Sequence, residues 1–288
     1  MIDAEPIVVA EGLRKVFKRG GREHVAVDDV TFRMTRGRNL GIVGESGSGK
    51  STTARMIMGL ERPTSGTVEV CGEDMLQTAR TRAVRKRRAK LTQMVYQDPF
   101  GSLDPRQTVD SCLQEVLAIH GFGNRPERER RTAELCDLVG LSAAQQARSP
   151  RDLSGGQRQR VAIARALAVE PQLILLDEAV AALDISIQAQ ILNLLLDVQQ
   201  ETGTSYVLIS HDLAVVAHLT KDVLVMQDGR VVEQGATSQV LVEPKHAYTQ
   251  VLRDSVPSMS WRQDGVLESI AGRVIPEGGS QLPSQKYT

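Results

Sequence analysis

The stretch Gly44-Glu45-Ser46-Gly47-Ser48-Gly49-Lys50-Ser51 matches the phosphate-binding pattern G-x-x-x-x-G-K-[ST]. Apolar residues before it predict a short buried strand over 38–43, and the residues after it predict a helix over 51–60 that Pro63 closes. Glycines let the backbone N–H groups of such a loop wrap closely around a phosphate chain. Because phosphates would then lie at a helix N-terminus, where free N–H groups favour anions, the stretch predicts an α/β nucleotide-binding core.

Two side chains of this loop have predicted chemical roles. Lys50 would reach the β- and γ-phosphates, and the Ser51 hydroxyl would ligate Mg²⁺. The alternative is a glycine-rich turn that binds no ligand. The expected cofactors are ATP and Mg²⁺, and the expected phosphate contacts are Gly44, Glu45, Ser46, Gly47, Ser48, Gly49, Lys50, Ser51 and Thr52.

An acidic segment farther along the chain adds to the predicted nucleotide site. Residues 172–178 contain a run of apolar residues typical of a strand buried on both faces, and the run ends in Asp177 and Glu178. Open α/β sheets bind ligands beyond the carboxyl ends of their strands. Asp177 is therefore expected to hold Mg²⁺, and Glu178 to orient and polarise the attacking water.

Two further polar residues follow predicted strands. His211 comes after the strand predicted over 206–210, where it would contact a γ-phosphate. Gln97 comes after the strand predicted over 91–96, where its side-chain oxygen would contact Mg²⁺ or the attacking water. An ordinary surface or core role is the alternative for both.

The stretch Leu153-Ser154-Gly155-Gly156-Gln157 predicts another anion site. Ser154 suits the N-cap of a helix predicted over 155–169, and the two glycines leave bare N–H groups at its start. A helical segment separates this site from the phosphate loop within one chain. A second subunit, placed head to tail, would bring the site onto the γ-phosphate, so that ATP joins the two subunits.

As a set and in this order, the motifs resemble those of the nucleotide-binding subunit of an ABC transporter, over about residues 7–255. The resemblance implies an α/β P-loop NTPase cassette with a mixed core sheet, flanking helices and N-terminal antiparallel strands. A helical subdomain is expected over about 98–165 within a domain 1–254, followed by an extension over 255–288. The extension over 255–288 is expected to be loosely structured.

The resemblance also assigns residues to the family's motifs. It makes residues 44–51 the Walker A loop, 173–177 the Walker B strand, Glu178 the catalytic carboxylate, Gln97 the Q-loop residue and His211 the switch histidine. Phe17 takes the position that stacks on adenine, with core packing as the alternative. The nucleotide contacts implied outside the phosphate loop are Phe17, Ser154, Gly155, Gly156, Gln157 and Asp184, the last in the D-loop.

A narrower resemblance is to the ATPase subunits of oligopeptide and dipeptide importers, through residues 95–106, 182–190 and 243–250. It implies an ATP hydrolase that powers import. The implied partners are a second, identical or distinct, ATPase subunit, transmembrane permease subunits beside Gln97 and, indirectly, an extracytoplasmic substrate-binding protein. The implied location is peripheral, at the cytoplasmic face of the inner membrane. Nickel chelates, glutathione and other small solutes stay open as substrates.

Composition and motifs limit the other functional classes to which the chain could belong. The formal net charge is +0, which indicates no global attraction to nucleic acid. A basic run over 80–90 is expected to be a solvated face or loop, with contact to anionic lipid or nucleic acid as the alternative. A soluble ABC ATPase acting on ribosomes or DNA and a purely regulatory nucleotide-binding partner are the rival functions. The single phosphate loop disfavours the first, and the intact carboxylate and signature disfavour the second.

Overall fold

A computed structural model describes residues 5–77 and 81–255, so the extension predicted over 255–288 lies outside the described residues except for Ser255. The strands are β1 (Pro6–Arg19), β2 (Arg22–Thr35), β3 (Leu40–Val43), β4 (Ser65–Val70), β5 (Glu73–Asp74), β6 (Thr92–Val95), β7 (Leu173–Asp177), β8 (Ser205–Ser210), β9 (Asp222–Gln227) and β10 (Arg230–Ala236). The helices are α1 (Lys50–Ile57), α2 (Arg82–Leu91), α3 (Pro99–Ser102), α4 (Val109–His120), α5 (Arg125–Leu138), α6 (Ala143–Gln146), α7 (Gly155–Leu167), α8 (Ile185–Thr202), α9 (Leu213–Leu219), α10 (Thr237–Val242) and α11 (Ala247–Asp254).

The core sheet has six strands in the order β10-β9-β3-β8-β7-β6. All neighbours from β9 to β6 are parallel, and β10 pairs antiparallel with β9 through a turn at Asp228 and Gly229. All residues of β3 and β8 are buried, as expected for strands covered on both faces. The parallel pairing places the carboxyl ends of β3, β6, β7 and β8 at one edge of the sheet, which confirms the predicted mixed α/β core.

The N-terminal strands form a second, antiparallel sheet in the order β2-β1-β4-β5. The resemblance implied N-terminal antiparallel strands, and β1 and β2 each extend over 14 residues. Their distal part is a hairpin around Gly20 and Gly21, whose φ angles are 57° and 78°. Most of its side chains face solvent, so it lacks the apolar alternation that marks a half-buried strand.

Helices α3 to α7 are inserted between β6 and β7, where the helical subdomain was predicted. Helix α4 lies within this predicted range, and α7 begins at Gly155 as predicted but ends at Leu167 rather than at residue 169. Helix α5 begins at Arg125, where Asn124 and Glu127 form a capping box. The apolar faces of α4, α5 and α7 pack into the same core cluster as β7 and β8.

The basic run is largely helical. Its described part forms α2, capped by the Thr81 side chain, and the side chains of this helix are exposed or half-buried. Arg87 and Arg88 both form ion pairs with Glu73, which ties α2 to β5. The described part of the run is thus a helix with a solvent-facing surface, and two of its cations have a partner in the chain, while the role of the run stays a prediction.

Among residues 5–77 and 81–255, no helix combines the length and the apolar character that crossing a bilayer requires.

Candidate functional site

The phosphate loop connects β3 to α1, and its glycines have backbone angles that other residues avoid. Gly44, Gly47 and Gly49 have φ angles of 148°, 85° and 102°. A Cβ on Gly44 would lie 2.1 Å from the Met226 carbonyl oxygen, and one on Gly49 would lie 2.5 Å from the Ala26 carbonyl oxygen. The loop therefore needs glycine at both ends, since strands of both sheets approach it closely.

The Lys50 side chain lies inside this loop and is hydrogen-bonded to the loop backbone. Its side chain is 6% exposed, and its Nζ donates to the carbonyl oxygens of Gly44 at 2.8 Å and Glu45 at 2.7 Å. An ammonium group has three donors, so one is left for a phosphate oxygen. Burial lowers the pKa of Lys50, against the opposing effect of nearby carboxylates, chiefly Glu178 and Asp177.

Asp177 and Ser51 offer hard oxygen atoms for a divalent cation. Burial raises the pKa of Asp177, the Glu178 carboxylate raises it further, and the Ser51 hydroxyl acts in the opposite direction. Carboxylate and hydroxyl oxygens are hard ligands of the kind that Mg²⁺ binds, and a cation beside Asp177 would offset the cost of ionising that carboxyl group. The residues present thus fit the predicted magnesium site.

Glu178 follows β7 in a left-handed conformation, with φ at 47°. Its N–H donates to the Ile209 carbonyl at 3.0 Å, which fixes the turn to the neighbouring strand. His211 Nδ1 lies 3.4 Å from Glu178 Oε1, so the predicted catalytic carboxylate and switch histidine are adjacent. The Glu178 side chain lines the same cleft as residues of the phosphate loop.

A cleft of about 250 Å³ joins the phosphate loop to the N-terminal hairpin. Phe17 forms one wall and is 38% exposed, so it is not the core residue of the alternative interpretation. Lys15 Nζ lies 4.9 Å from the centroid of its ring. The cleft is lined by Phe17, His24, Ala26, Ser46, Gly47, Gly49, Lys50, Ser51, Thr52 and Glu178.

His24 and Ala26 were not predicted as site residues. His24 pairs with Phe17 across the hairpin, which brings both side chains to one end of the cleft. The signal in the sequence is the Gly20-Gly21 pair, because a turn there sets the pairing of the two strands.

Gln97 lies outside the cleft. It is exposed and follows β6, whose Val95 pairs with Leu176 in β7. Gln97 and Asp177 are thus at the same edge of the sheet. Among the described residues, neither Gln97 nor His211 lines the cleft itself.

The signature residues lie on another surface. Ser154 caps α7 in a capping box with Gln157, as predicted. A Cβ on Gly156 would lie 2.5 Å from Ile187 in α8, and one on Gly155 would lie 3.5 Å from Leu183. The signature therefore packs on the D-loop of its own chain, where Asp184 is exposed. Within the part of the chain that the structure describes, none of the signature residues lines the cleft.

One further contact was missed by sequence reasoning. The Glu45 N–H donates to the Tyr248 hydroxyl at 2.9 Å, so the phosphate loop touches α11. The sequence pattern over residues 243–250 contributes to the narrower resemblance, but it predicted no chemical role for Tyr248.

Comparison with known proteins is consistent with this geometry. The family model described as ABC transporter matches residues 27–181, and the model for the oligopeptide/dipeptide transporter C-terminal region matches residues 232–281. The dimeric ATP-binding cassette MJ0796, solved in a post-hydrolysis state bound to ADP and Pi, superposes with a TM-score of 0.72 and 31% identity. The match covers 80% of this chain and 98% of that structure.

Two similar relatives are named for peptide transport. The oligopeptide transport ATP-binding protein OppD of Mycobacterium tuberculosis is 50% identical over 244 residues, which cover 84% of this chain and 39% of the relative. This chain therefore spans less than half the length of that relative. The dipeptide transport ATP-binding protein DppF of Escherichia coli is 43% identical over 262 residues, which cover 89% of this chain and 78% of the relative. The chain belongs to the ABC transporter family, within the group that carries the oligopeptide/dipeptide transporter C-terminal region.

Proposed function

We propose that this chain is the ATP-binding and ATP-hydrolysing subunit of an importer for oligopeptides or dipeptides. The observation that carries the proposal is the cleft in which Phe17, the phosphate loop and Glu178 meet. Its two ends differ in chemistry: an aromatic ring at one end suits a base, and buried Lys50 at the other suits phosphates.

The triphosphate lies along the loop, with its anionic oxygens at the start of α1. Lys50 supplies its third donor to the β- and γ-phosphates, because its other two are held by the carbonyls of Gly44 and Glu45. Ser51 and Asp177 would hold Mg²⁺, with Gln97 as a further ligand, and the cation would supply neutralising charge to the phosphate oxygens.

Glu178 performs the reaction step that the geometry supports. Its carboxylate orients a water molecule toward the γ-phosphate and takes the proton as the oxygen–phosphorus bond forms, which yields ADP and phosphate. His211, 3.4 Å from that carboxylate, positions Glu178 and contacts the γ-phosphate. Removal of the γ-phosphate then removes the contact on which the closed state depends.

The closed state is a head-to-tail pair of ATPase subunits. The start of α7 offers bare N–H groups at a surface separate from the cleft, so a second subunit must supply them to the nucleotide. Ile185, beside Asp184 in the D-loop, is 86% exposed and provides apolar surface for that seam. The partner is a second copy or a related chain.

The membrane partner lies beside the exposed end of β6. Tyr96 is 46% exposed and is followed by exposed Gln97, which links a permease contact to the nucleotide. The subunit then works peripherally at the cytoplasmic face of the membrane. The permease and an extracytoplasmic binding protein select the solute, with peptides as the expected class.

The test replaces Glu178 with Gln, which keeps size and hydrogen bonding but removes the base. We expect ATP turnover to fall by about 100-fold or more, and ATP with Mg²⁺ to trap a dimer visible by light scattering. Glu69→Gln, at an exposed position of β4, is the matched control and should behave as the native chain. Turnover of Glu178→Gln within a few-fold of native would refute the assignment.

The transport role is tested separately by purification in mild detergent. A hydrophobic permease should accompany the chain, and vesicles carrying the complex should accumulate labelled peptide when ATP is supplied. Recovery with ribosomes or nucleic acid, and without a membrane protein, would favour the soluble ATPase instead.

A further inference from the structure

Helix α11 reaches the phosphate loop through one tyrosine. The Tyr248 hydroxyl accepts a hydrogen bond from the Glu45 N–H at 2.9 Å, across 203 positions of sequence. The body of Tyr248 is half-buried and packs against the main apolar core. The hydroxyl is thus carried to the loop by a ring that is itself held in place.

The peptide that Tyr248 contacts is the one that orients Lys50. The Glu45 N–H and the Gly44 carbonyl belong to the same peptide unit, and that carbonyl accepts a hydrogen bond from Lys50 Nζ at 2.8 Å. Tyr248 and Lys50 therefore hold opposite sides of one peptide plane. Hydrogen bonds in such a chain polarise and strengthen one another.

The next carbonyl of the loop adds to this arrangement. The Glu45 carbonyl accepts from Lys50 Nζ at 2.7 Å and from the Ser48 N–H at 3.2 Å. Glu45 is exposed, so its amide would otherwise bond to water and rotate more freely. Fixing its N–H limits how far both carbonyls can turn away from Lys50.

The start of α11 is anchored to the core sheet. The Glu233 carboxylate of β10 accepts from the N–H groups of Lys245 at 2.9 Å and His246 at 3.1 Å. His246 then caps the helix, with its Nδ1 accepting from the Tyr248 N–H at 3.2 Å. Thr249 and Leu252 are buried on the inner face of the helix. Tyr248 thus stands on a fixed base.

The protonation state of the Tyr248 hydroxyl is compatible with its role as a hydrogen-bond acceptor. Burial raises the pKa of Tyr248, and nearby Glu45 and Asp228 raise it further, while the hydrogen bond from the Glu45 amide lowers it. The net direction is upward, so the hydroxyl stays protonated and neutral at physiological pH.

We propose that Tyr248 is a positioning residue of the nucleotide site, which holds the peptide between Gly44 and Glu45 so that Lys50 is aimed at the phosphates. This rests on the proposed function only for the identity of the ligand as ATP. It assigns a task to the described part of the C-terminal region: α11 is a strut between β10 and the phosphate loop.

The test is Tyr248→Phe, which removes the hydroxyl and keeps the ring. Tyr206→Phe is the matched control, because the Tyr206 hydroxyl is buried without a hydrogen-bond partner among the described residues. Amide hydrogen exchange at Glu45 is measured in the nucleotide-free protein, and the Kd of a fluorescent ATP analogue is measured with Mg²⁺. Loss of one net hydrogen bond predicts about threefold to tenfold faster exchange and a similar weakening of the Kd for Tyr248→Phe alone.

Each outcome decides a separate point. Native exchange at Glu45, or native affinity for the analogue, in Tyr248→Phe overturns the positioning role. An equal change in Tyr206→Phe also overturns it, because the effect would then come from general loosening. If the native chain itself fails to bind the analogue, the proposed function is wrong, and faster exchange in Tyr248→Phe alone would still establish the strut.

Discussion

Asn39, immediately before β3, offers the sharpest test of how the phosphate loop is held. It is 3% exposed, and its amide is fully used. Its Nδ2 donates to Gln199 Oε1 at 2.8 Å and to the Leu219 carbonyl at 2.9 Å, and its Oδ1 accepts from Gln199 Nε2 at 2.7 Å and from the Tyr206 N–H at 2.9 Å. One side chain thus joins β3 to α8, to β8 and to the end of α9.

The substitution Asn39→Ala removes all four hydrogen bonds. The Gln199 amide is only half-buried and can turn to water, but the Tyr206 N–H and the Leu219 carbonyl lie next to buried side chains and lose their partners. Each buried group left unpaired costs about 1–3 kcal/mol, so we expect a loss of about 3–4 kcal/mol in the free energy of unfolding. That loss is a large fraction of the ~5–15 kcal/mol typical of a folded domain.

Urea unfolding followed by circular dichroism measures this loss, and the chain offers a matched control. Asn124→Ala removes the N-cap of α5 at an exposed position and should cost about 1 kcal/mol. If Asn39→Ala were no more destabilised than Asn124→Ala, the buried amide would not be a major tie of β3, and the reasoning would be refuted.

Three further predictions concern the site and the thiols. Gly44→Ala should reduce the affinity for ATP by about 100-fold or more in a binding titration, because its Cβ would collide with a carbonyl of β9. Gly203→Ala, with φ at 70° but open space around it, should bind ATP normally, and equal losses would contradict the steric argument. Phe17→Leu should weaken ATP binding by about tenfold but leave competition by inorganic triphosphate unchanged, and a loss for both ligands would exclude stacking on the base. At pH 8 a thiol reagent should label half-buried Cys71 well before Cys136, whose pKa burial raises to about 11, and equal rates in the native protein would show that Cys136 is accessible.

The elements of the site were predictable because their signals are local. A glycine-rich loop between an apolar run and a helix, and a buried strand ending in Asp177 and Glu178, each fit within a short window of sequence. Parallel pairing then brings the ends of such strands to one edge. The placement of the phosphate loop, Glu178 and His211 at one edge of the sheet therefore followed from pattern alone, whereas the roles of these residues stay predictions.

The contacts that were missed are non-local. Tyr248 and Asn39 act through partners far away in the chain, and no window of sequence shows that an amide in the loop will meet a hydroxyl in α11. The sequence pattern placed Asn39 within the strand predicted over 38–43. That prediction gives no sign that its buried side chain hydrogen-bonds to α8, β8 and α9. His24 became a site residue only through the register of a hairpin whose exposed half has no apolar period.

The position of β3 in the sheet has a consequence for how the protein is made. The partners of β3 on both sides are β8 and β9, which are synthesised long after it. A ribosome therefore exposes the phosphate-binding sequence early, on a strand that has no neighbour to pair with. Capture of nucleotide becomes a late event in translation, and chains released before β8 carry the loop's residues without the sheet that gives the loop its shape.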